Sequence, residues 1–243
     1  MENLQLQGLQ ELESIKPYCH YIDIQKLILE IYDLHNDFSS SWTNRKAVGG
    51  FQLLNLKNKQ VRHVSNVVEG KGMFVIDNAF YQLIKDYMSA LNSFTGESDL
   101  EFDYINLDLR TRIKQNESVV NKLKYYRIGK VGQGAFNLNK CLNDLFGLRI
   151  IIDDFDHNCE YFDDLCGTLK SEYRIKAIDA SKHDYKATHI YFYGDSNRYF
   201  PWELQIWSTA DVVSNDESHF IHKQEYKSWA NIYKNSEEIQ GGV

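Results

Sequence analysis

The sequence predicts an α+β fold, in which a mostly helical N-terminal region precedes a mixed β-sheet of four to five strands flanked by helices. Apolar residues recur at helical spacing in the first third of the chain. In the second half, short runs rich in aromatic and β-branched residues alternate with helical patterns. The last two runs are separated by a strong turn signal, Gly194-Asp195-Ser196-Asn197, which predicts an antiparallel hairpin.

Two amphipathic helices are predicted in the N-terminal third. The first covers residues 22–35, and the second covers 77–94 with Asp77 or Asn78 as its N-cap. Three consecutive serines, 39–41, predict a break after the first helix, and residues 95–99 predict a loop after the second. Residues 44–73 show no clear pattern. We therefore expect a mostly helical region over 1–98 and a second domain over 99–243.

The second half is predicted to alternate strands with helices. Apolar residues between Phe102 and Leu107 predict a first strand, and Asn116 is the candidate cap of the helix that follows. The remaining strands are predicted over 147–153, 174–179, 188–193 and 202–207, and the helices over 117–127, 158–173 and 210–234.

Composition excludes several classes of protein. The chain has 243 residues, a net charge of −7, and hydrophobic and charged fractions of 43% and 25%, as in ordinary globular proteins. No apolar run approaches the roughly 20 residues of a membrane helix, and the N-terminus lacks a signal pattern. The four cysteines form no C-x-x-C pair, which argues against a zinc ribbon. We expect a cytoplasmic protein with no membrane partner.

A basic segment, residues 110–130, stands out in this acidic chain. It predicts either a solvated basic helix face or a site for a compact polyanion such as a nucleoside triphosphate. Arg112 and Lys114 share a face if the segment is extended, and Ser118 and Lys122 lie one helical turn apart. The glycine-rich stretch 129–134 fits no phosphate-loop pattern and is predicted to be a flexible loop beside that site.

Two acidic residues are candidates for magnesium binding. Strand alternation places Glu203, Gln205 and Trp207 on one face, and a carboxylate among large apolar groups is costly unless it is paired or holds a metal. Asp144 lies at the mouth of the predicted strand 147–153. Mg²⁺ binds through one or two carboxylates and keeps its other positions for phosphate and water. The alternatives are that Asp144 caps a turn and that Glu203 lies on an exposed rim.

These motifs occur in one order along the chain. They are R-x-K-x-x-x-S-x-x-x-K at 112–122, D-x-x-G-x-R-I-I at 144–151, K-x-x-Y-K-x-x-H at 182–189, E-x-Q-I at 203–206 and H-x-x-x-K at 219–223. Over residues 100–227 the chain resembles the synthetase domain of the RelA/SpoT family, most closely its small, synthetase-only members. The resemblance implies a nucleotidyltransferase-like sheet and a magnesium-dependent pyrophosphokinase, which moves the β,γ-diphosphate of ATP to the 3′-hydroxyl of GDP or GTP.

The resemblance also implies roles for individual residues. Asp144 and Glu203 would bind Mg²⁺ and carry the catalysis, with Glu203 activating the acceptor hydroxyl. Tyr185, which at a strand entrance can stack on a base or pack as an ordinary surface tyrosine, would stack on the guanine. ATP binding would fall to Arg112, Lys114, Ser118, Lys122 and Arg149, and the other acceptor-binding residues would be Lys182, His189 and Gln205.

Departures from the family pattern concern the acceptor. His183-Asp184 stands where the family often has Asn-Gly, and Trp207-Ser208 stands where Arg-Thr often follows E-x-Q-I. The stretch around Glu203 resembles divergent members, including toxin-type synthetases of toxin–antitoxin pairs. The alternatives to an alarmone synthetase are therefore a toxin that pyrophosphorylates the 3′ end of tRNA and has an antitoxin partner, and a degenerate nucleotide-binding regulator. Residues 1–98 could complete the acceptor site, form a homo-oligomer or bind a partner.

Overall fold

The structure is a computed structural model that describes residues 2–49, 53–68 and 73–232, with side chains from His20 onward except at 222, 223 and 225–232. Its α-helices are α1 (Glu2–Val48), α2 (Asn78–Glu97), α3 (Leu100–Asp103), α4 (Asn116–Lys124), α5 (Leu138–Cys141), α6 (Glu160–Glu172) and α7 (Val212–Ile232). Its strands are β1 (Ser65–Val68), β2 (Met73–Ile76), β3 (Arg110–Ile113), β4 (Phe146–Ile152), β5 (Ile175–Asp179), β6 (Thr188–Phe192) and β7 (Trp202–Ser208).

A five-stranded mixed sheet organises the second half of the chain. Its strand order is β3-β4-β7-β6-β5. β4 and β7 are parallel neighbours, and the other neighbouring strands run antiparallel. The predicted α+β class, the four to five strands and the β6–β7 hairpin are therefore confirmed. β1 and β2 form a separate antiparallel pair, in which β1 lies within the stretch 44–73 that showed no clear sequence pattern and β2 begins at its end.

The two faces of the sheet have different surroundings. Trp202 of β7 is fully buried on the apolar face, where its indole N–H donates to the Tyr87 hydroxyl of α2 at 2.9 Å. Its ring also packs against Phe38 of α1 and Phe94 of α2, with centroid distances of 5.8 and 5.7 Å. The opposite face carries polar side chains at alternate positions. Helices α1 and α2 thus cover one face and leave the other for a site.

Helix α1 is fastened to the turn between β6 and β7. The Tyr32 hydroxyl donates to Asp195 Oδ1 at 2.9 Å, and the Asp195 backbone N–H donates to Asn36 Oδ1 at 2.9 Å. His35 is fully buried, and its Nε2 lies 2.9 Å from the Phe200 carbonyl oxygen. The N-terminal region therefore shares a core with the sheet. The expected division between residues 98 and 99 stays a prediction.

The predicted break at serines 39–41 is wrong, because α1 continues through them to Val48. Ser39 is fully buried against the core. One turn later, Trp42 donates its indole N–H to Asp86 of α2 at 3.0 Å and packs on Tyr87 at 5.0 Å. Tertiary contacts of this kind override the weak helix propensity of serine.

The predicted strand between Phe102 and Leu107 is also wrong. This stretch forms α3 and a 3₁₀ turn, and the strand begins at Arg110. Phe102 and Ile105 are 75% and 73% exposed, whereas Leu100 and Leu107 are buried. The buried pair is two helical turns apart, so the segment satisfies a helical period and not strand alternation.

Two predicted boundaries also need correction, and one predicted cap is confirmed. α2 runs to Glu97, through most of the predicted loop over 95–99. Gln115, and not Asn116, occupies the N-cap position of α4. Asp77 does cap α2, as predicted, by accepting from the Phe80 N–H at 2.8 Å. No helix in the described ranges is both long and apolar enough to cross a membrane.

Candidate active site

Asp144 lies between α5 and β4, with its carboxylate between two lysine ammonium groups. Lys114 Nζ is 2.6 Å from Asp144 Oδ2, and Lys122 Nζ is 2.8 Å from Asp144 Oδ1. Lys114 directly follows β3, and its backbone N–H donates to the Leu145 carbonyl at 2.9 Å. Lys122 reaches over from α4 and also contacts Asn143 Oδ1 at 3.1 Å. The structure therefore brings together the two cationic segments and the acid, as the sequence predicts.

The charges in this cluster reinforce one another. Burial disfavours the ionised form of Asp144, but the neighbouring Lys122 and Lys114 hold the pKa of its carboxyl well below the usual range. Burial likewise disfavours the Lys122 ammonium, whose pKa is nevertheless raised above its usual value by the charge of Asp144. Two lysines against one aspartate leave surplus positive charge, which suits a phosphate chain.

Glu203 is held on the polar face of the sheet. Glu203 is buried, with 7% of its surface exposed. Glu203 Oε1 lies 3.2 Å from His189 Nδ1, and Glu203 Oε2 accepts from Gln205 Nε2 at 2.8 Å. Burial would raise the pKa of this carboxyl, but the contact with His189 outweighs burial and lowers the pKa below its usual value. The predicted sharing of a face by Glu203 and Gln205 is confirmed.

The strand register aligns the functional side chains in rows. Gly147 of β4 pairs with Arg112 on one side and with Glu203 on the other, and Glu203 pairs in turn with Tyr191. A Cβ placed on Gly147 would approach the Arg112 carbonyl oxygen at 3.9 Å, an ordinary contact. Since Gly147 carries no side chain, the sheet is open between Arg112 and Glu203. This opening adjoins the segment that carries Asp144.

Asp144 and Glu203 are the two carboxylates of this site that could hold Mg²⁺. Both are carboxylates with lowered pKa values, and the charge of Asp144 acts on Glu203 electrostatically. No group of three or more His, Cys, Asp or Glu side chains in the described ranges forms a metal cage. Mg²⁺ commonly takes one or two protein carboxylates and completes its shell with phosphate and water. The donor set therefore fits an ion that arrives with a nucleotide.

Tyr185 stands in an aromatic cluster next to Glu203. Its hydroxyl lies 2.7 Å from His189 Nε2, so His189 connects Tyr185 to the Glu203 carboxylate. The Tyr185 ring is stacked on His219 of α7, with a centroid distance of 5.3 Å and an interplanar angle of 25°. Trp207 meets both rings edge-on, at 6.1 and 5.2 Å. The acceptor-side residues thus form one connected group.

Arg149 extends this cluster toward the positively charged side of the site. Its guanidinium carbon lies 4.2 Å from the Trp207 ring centroid, a cation–π contact. Arg149 Nη1 is also 3.6 Å from Asp216 Oδ1 of α7. In the next row of the sheet, Arg149 pairs with Gln205, and Gln205 pairs with His189. Arg149 therefore lies between the aromatic cluster and the cluster of Asp144 with Lys114 and Lys122, here called the lysine–aspartate cluster.

Two predicted site residues, Ser118 and Lys182, have no side-chain hydrogen bond to the other site residues within the described part of the chain. Ser118 lies on α4 one turn before Lys122 and makes no side-chain hydrogen bond within the described part of the chain. Lys182 is exposed and joins the group through its backbone, which exchanges hydrogen bonds with Tyr185 at 2.8 and 3.1 Å. The side chain of Lys223 lies outside the described residues.

Sequence reasoning missed two supporting residues. Tyr191, whose hydroxyl is 3.2 Å from His189 Nδ1, follows His189 at the two-residue period of β6, and that period could have revealed it. Asn215 of α7 is fully buried and binds both backbone groups of Lys186 at 2.8 Å. An asparagine within a helix gives no sequence signal for such a contact.

The glycine-rich stretch 129–134 packs against residues near Arg62. The Arg62 N–H donates to the Gly134 carbonyl at 3.1 Å, and Arg127 Nη1 donates to the Gln133 carbonyl at 3.0 Å. Gly134 has φ +84°, and a Cβ there would lie 2.7 Å from Arg127 Cδ. A side chain at this position would therefore be strained and would have to displace the Arg127 side chain. The predicted flexibility of this stretch stays a prediction.

Comparisons with known proteins give similarities only at the level of structure. No protein-family model matches the chain, and no curated protein matches it significantly. The crystal structure of small alarmone synthetase 2 from Bacillus subtilis is 20% identical and has a TM-score of 0.33, covering 64% of this chain and 91% of that one.

Small alarmone synthetase 1 from the same organism, bound to its product pppGpp, is 18% identical and has a TM-score of 0.28, covering 60% of this chain and 78% of that one. Another structure of that synthetase is 19% identical and has a TM-score of 0.30, covering 64% and 82%. These scores are too low to support an activity, so we infer function from the side chains of this chain. In fold, the chain is similar to these small alarmone synthetases.

Proposed function

We propose that this chain is an ATP-dependent pyrophosphokinase that transfers the β,γ-diphosphate of ATP to the 3′-hydroxyl of a guanosine nucleotide. The observation that carries the proposal is the placement of Asp144 between Lys114 and Lys122, beside the opening at Gly147 and Glu203. This site combines surplus positive charge for a triphosphate with two ionised carboxylates for its magnesium ion. Phosphoryl transfer needs little more than such positioning and charge neutralisation.

The donor half of the reaction would rest on the lysine–aspartate cluster. A triphosphate would draw Lys114 and Lys122 toward its oxygens, which frees the Asp144 carboxylate for the accompanying cation. Asp144 and Glu203 would hold Mg²⁺, which would neutralise negative charge on the phosphates. Arg149, 33% exposed beside the opening, would add a third positive group. Arg112 presents a side chain from β3 in the row of Gly147 and would bind at the edge of the same opening.

The acceptor half would rest on Glu203 and Tyr185. Tyr185 would stack on the acceptor base, and Glu203 Oε1 would accept the proton of the 3′-hydroxyl. The 3′-oxygen then forms its bond to the β-phosphorus, the bond from that phosphorus to the bridging oxygen of the α-phosphate breaks, and AMP leaves. His189 and Gln205 hold the two oxygens of Glu203 and so fix the orientation of the carboxylate.

Transfer of radiolabel tests the proposal directly. The purified chain is incubated with γ-³²P-ATP and Mg²⁺, with GDP, GTP, ADP or deacylated tRNA offered separately. We expect label on GDP or GTP. Label on tRNA alone would replace the proposal with the translation-blocking toxin, and transfer to no acceptor would favour the degenerate regulator.

The variant Glu203→Gln identifies the catalytic carboxylate. It retains the shape of the side chain and a hydrogen-bonding oxygen but removes the proton acceptor, so we expect a loss of several orders of magnitude in kcat. ATP binding should weaken only modestly. Glu172→Gln is the matched control, since that glutamate is exposed at the end of α6, away from the polar face. Activity of Glu203→Gln close to that of the control would refute the assignment.

A further inference from the structure

His219 of α7 has a defined place beside the acceptor tyrosine. Its ring is stacked on Tyr185 at 5.3 Å and 25°, and it meets the edge of Trp207 at 5.2 Å. Within the described residues, His219 is the only ring stacked on Tyr185. Burial, followed by the charge of Arg149, lowers the pKa of His219 to about 4, so the imidazole is uncharged at pH 7 and can stack as a neutral ring.

The stack is fixed by a second contact from the same helix. Asn215 lies one turn before His219, and its fully buried side chain accepts from the Lys186 N–H and donates to the Lys186 carbonyl, both at 2.8 Å. Lys186 is the residue directly after Tyr185. Helix α7 therefore holds residues 182–186, here called the Tyr185 segment, at two points. Asn215 holds the backbone, and His219 holds the tyrosine ring.

The Tyr185 segment needs such support because it is a tight turn. Lys182 and Tyr185 exchange backbone hydrogen bonds across His183 and Asp184, and His183 has φ +54°. The Tyr185 hydroxyl contacts His189 at 2.7 Å, which fixes one end of the side chain but leaves the ring free to turn about its long axis. Trp207 approaches edge-on and is itself fully buried. The stacked His219 ring lies parallel to the tyrosine and so restrains rotation of its plane.

We propose that His219 is a positioning residue that backs one face of Tyr185, so that the opposite face is presented to the base of the acceptor nucleotide. This inference rests on the proposed function. The opposing interpretation is that His219 occupies the place of the base and must leave before the acceptor binds. Shifting the backbone of α7 would break the buried bonds between Asn215 and Lys186, and rotating the His219 side chain away would lose its ring contacts with both Tyr185 and Trp207, so the geometry points to a fixed support.

The two interpretations predict opposite effects of removing the ring. If His219 supports Tyr185, His219→Ala should weaken GDP binding and raise the KM for the acceptor by about tenfold, part of the loss expected for a stacking partner. The KM for ATP should stay within about twofold, since the ring lies on the acceptor side, and kcat should change little. His219→Phe restores a neutral ring and should return both acceptor constants to within about threefold of the wild type.

The experiment combines calorimetric titration of GDP with steady-state kinetics on four proteins: wild type, His219→Ala, His219→Phe and Phe220→Ala. Phe220 is the adjacent residue on α7 and is 62% exposed, so Phe220→Ala is the control for loss of an aromatic ring from the helix. Thermal melting of each variant separates a local effect from unfolding.

The outcomes distinguish this inference from the proposed function. If the wild type transfers label to GDP and His219→Ala has an unchanged or lower KM for the acceptor, the inference about His219 is overturned and the proposed function stands. If the wild type binds GDP but transfers no label, the proposed function is overturned. If GDP binding is then also weaker in His219→Ala and recovers in His219→Phe, the inference about His219 is supported. Failure of His219→Phe to recover GDP binding would show that stacking is not the role of the ring, and wild type that does not bind GDP would overturn both.

Discussion

Asp144 supplies the sharpest test of how the site is held together. Its carboxylate is the counter-ion of both Lys114 and Lys122, and the three side chains are 20%, 18% and 13% exposed. Asp144→Asn keeps the shape but leaves two lysines without a negative partner. Breaking a fully buried pair costs about 3–5 kcal/mol. Because these groups retain some solvent, we expect about 2 kcal/mol, which for a chain of this length lowers Tm by about 6 °C.

The pH dependence of this loss follows from the direction of the pKa shift. The pKa of Asp144 is lower in the folded chain than its unfolded value of about 3.9. Its contribution to stability is therefore fully present above that value and is lost as the pH falls toward the folded pKa. The difference in unfolding free energy between wild type and Asp144→Asn should be constant from pH 5 to pH 7 and should shrink below about pH 4.

Urea denaturation at several pH values measures both quantities. The control is Asp108→Asn, which breaks an exposed ion pair with Arg110 at 2.8 Å and should cost less than about 1 kcal/mol. The double variant Asp144→Asn/Lys122→Met removes an unpaired charge and should recover part of the stability lost in Asp144→Asn. Equal stability of Asp144→Asn and wild type at pH 7, or a difference that grows as the pH falls, would refute the reasoning.

Further predictions concern the opening, the acceptor and the core. Gly147→Val should abolish transfer of label with little change in Tm, because its branches fill the opening beside Glu203; equivalent activity in this variant and in Gly167→Val, on an open surface of α6, would contradict this. Tyr185→Ala should raise the acceptor KM by about 5- to 150-fold, the range expected for loss of base stacking, and an unchanged KM in initial-rate assays would exclude that stacking. Burial lowers the pKa of His35 to about 4, so the folded chain resists protonation of this group and loses stability as the pH falls from about 6.5 to 4. His35→Leu should make that loss of stability smaller, and a pH profile parallel to that of wild type would contradict this.

The second half of the fold could be predicted because its strands have strong local signals. The run from Trp202 to Trp207 combines a two-residue period with aromatic and branched residues, and β7 covers that same stretch and one residue more. The same period placed Glu203 and Gln205 on one face, where a hydrogen bond of 2.8 Å now joins them. The resemblance assigned Asp144 and its lysines to one nucleotide site, and the structure places them in contact.

The remaining features depend on contacts between distant segments, which no local pattern reveals. Ser39 continues α1 because the helix around it packs on α2, and Trp42 contacts Asp86 from across the chain. The strand predicted over 102–107 is wrong because Phe102 and Ile105, on which the prediction rested, are apolar but exposed. The stack of His219 on Tyr185 depends on where α7 packs beside residues 185 and 186, and sequence spacing does not contain that geometry.

The strand order of the main sheet has a consequence for how the proposed active site is assembled. Among the described residues, β7 is the last strand in sequence, yet it lies at the centre of the sheet, between β4 and β6. About 60 residues separate Asp144 from Glu203, and long-range pairing of this kind forms slowly. During synthesis, β4 and β6 therefore emerge before the strand that joins them, and the two carboxylates meet only once β7 has inserted. A nascent or truncated chain that lacks β7 would expose two unpaired strand edges, and we expect it to have no catalytic activity until the central position is filled.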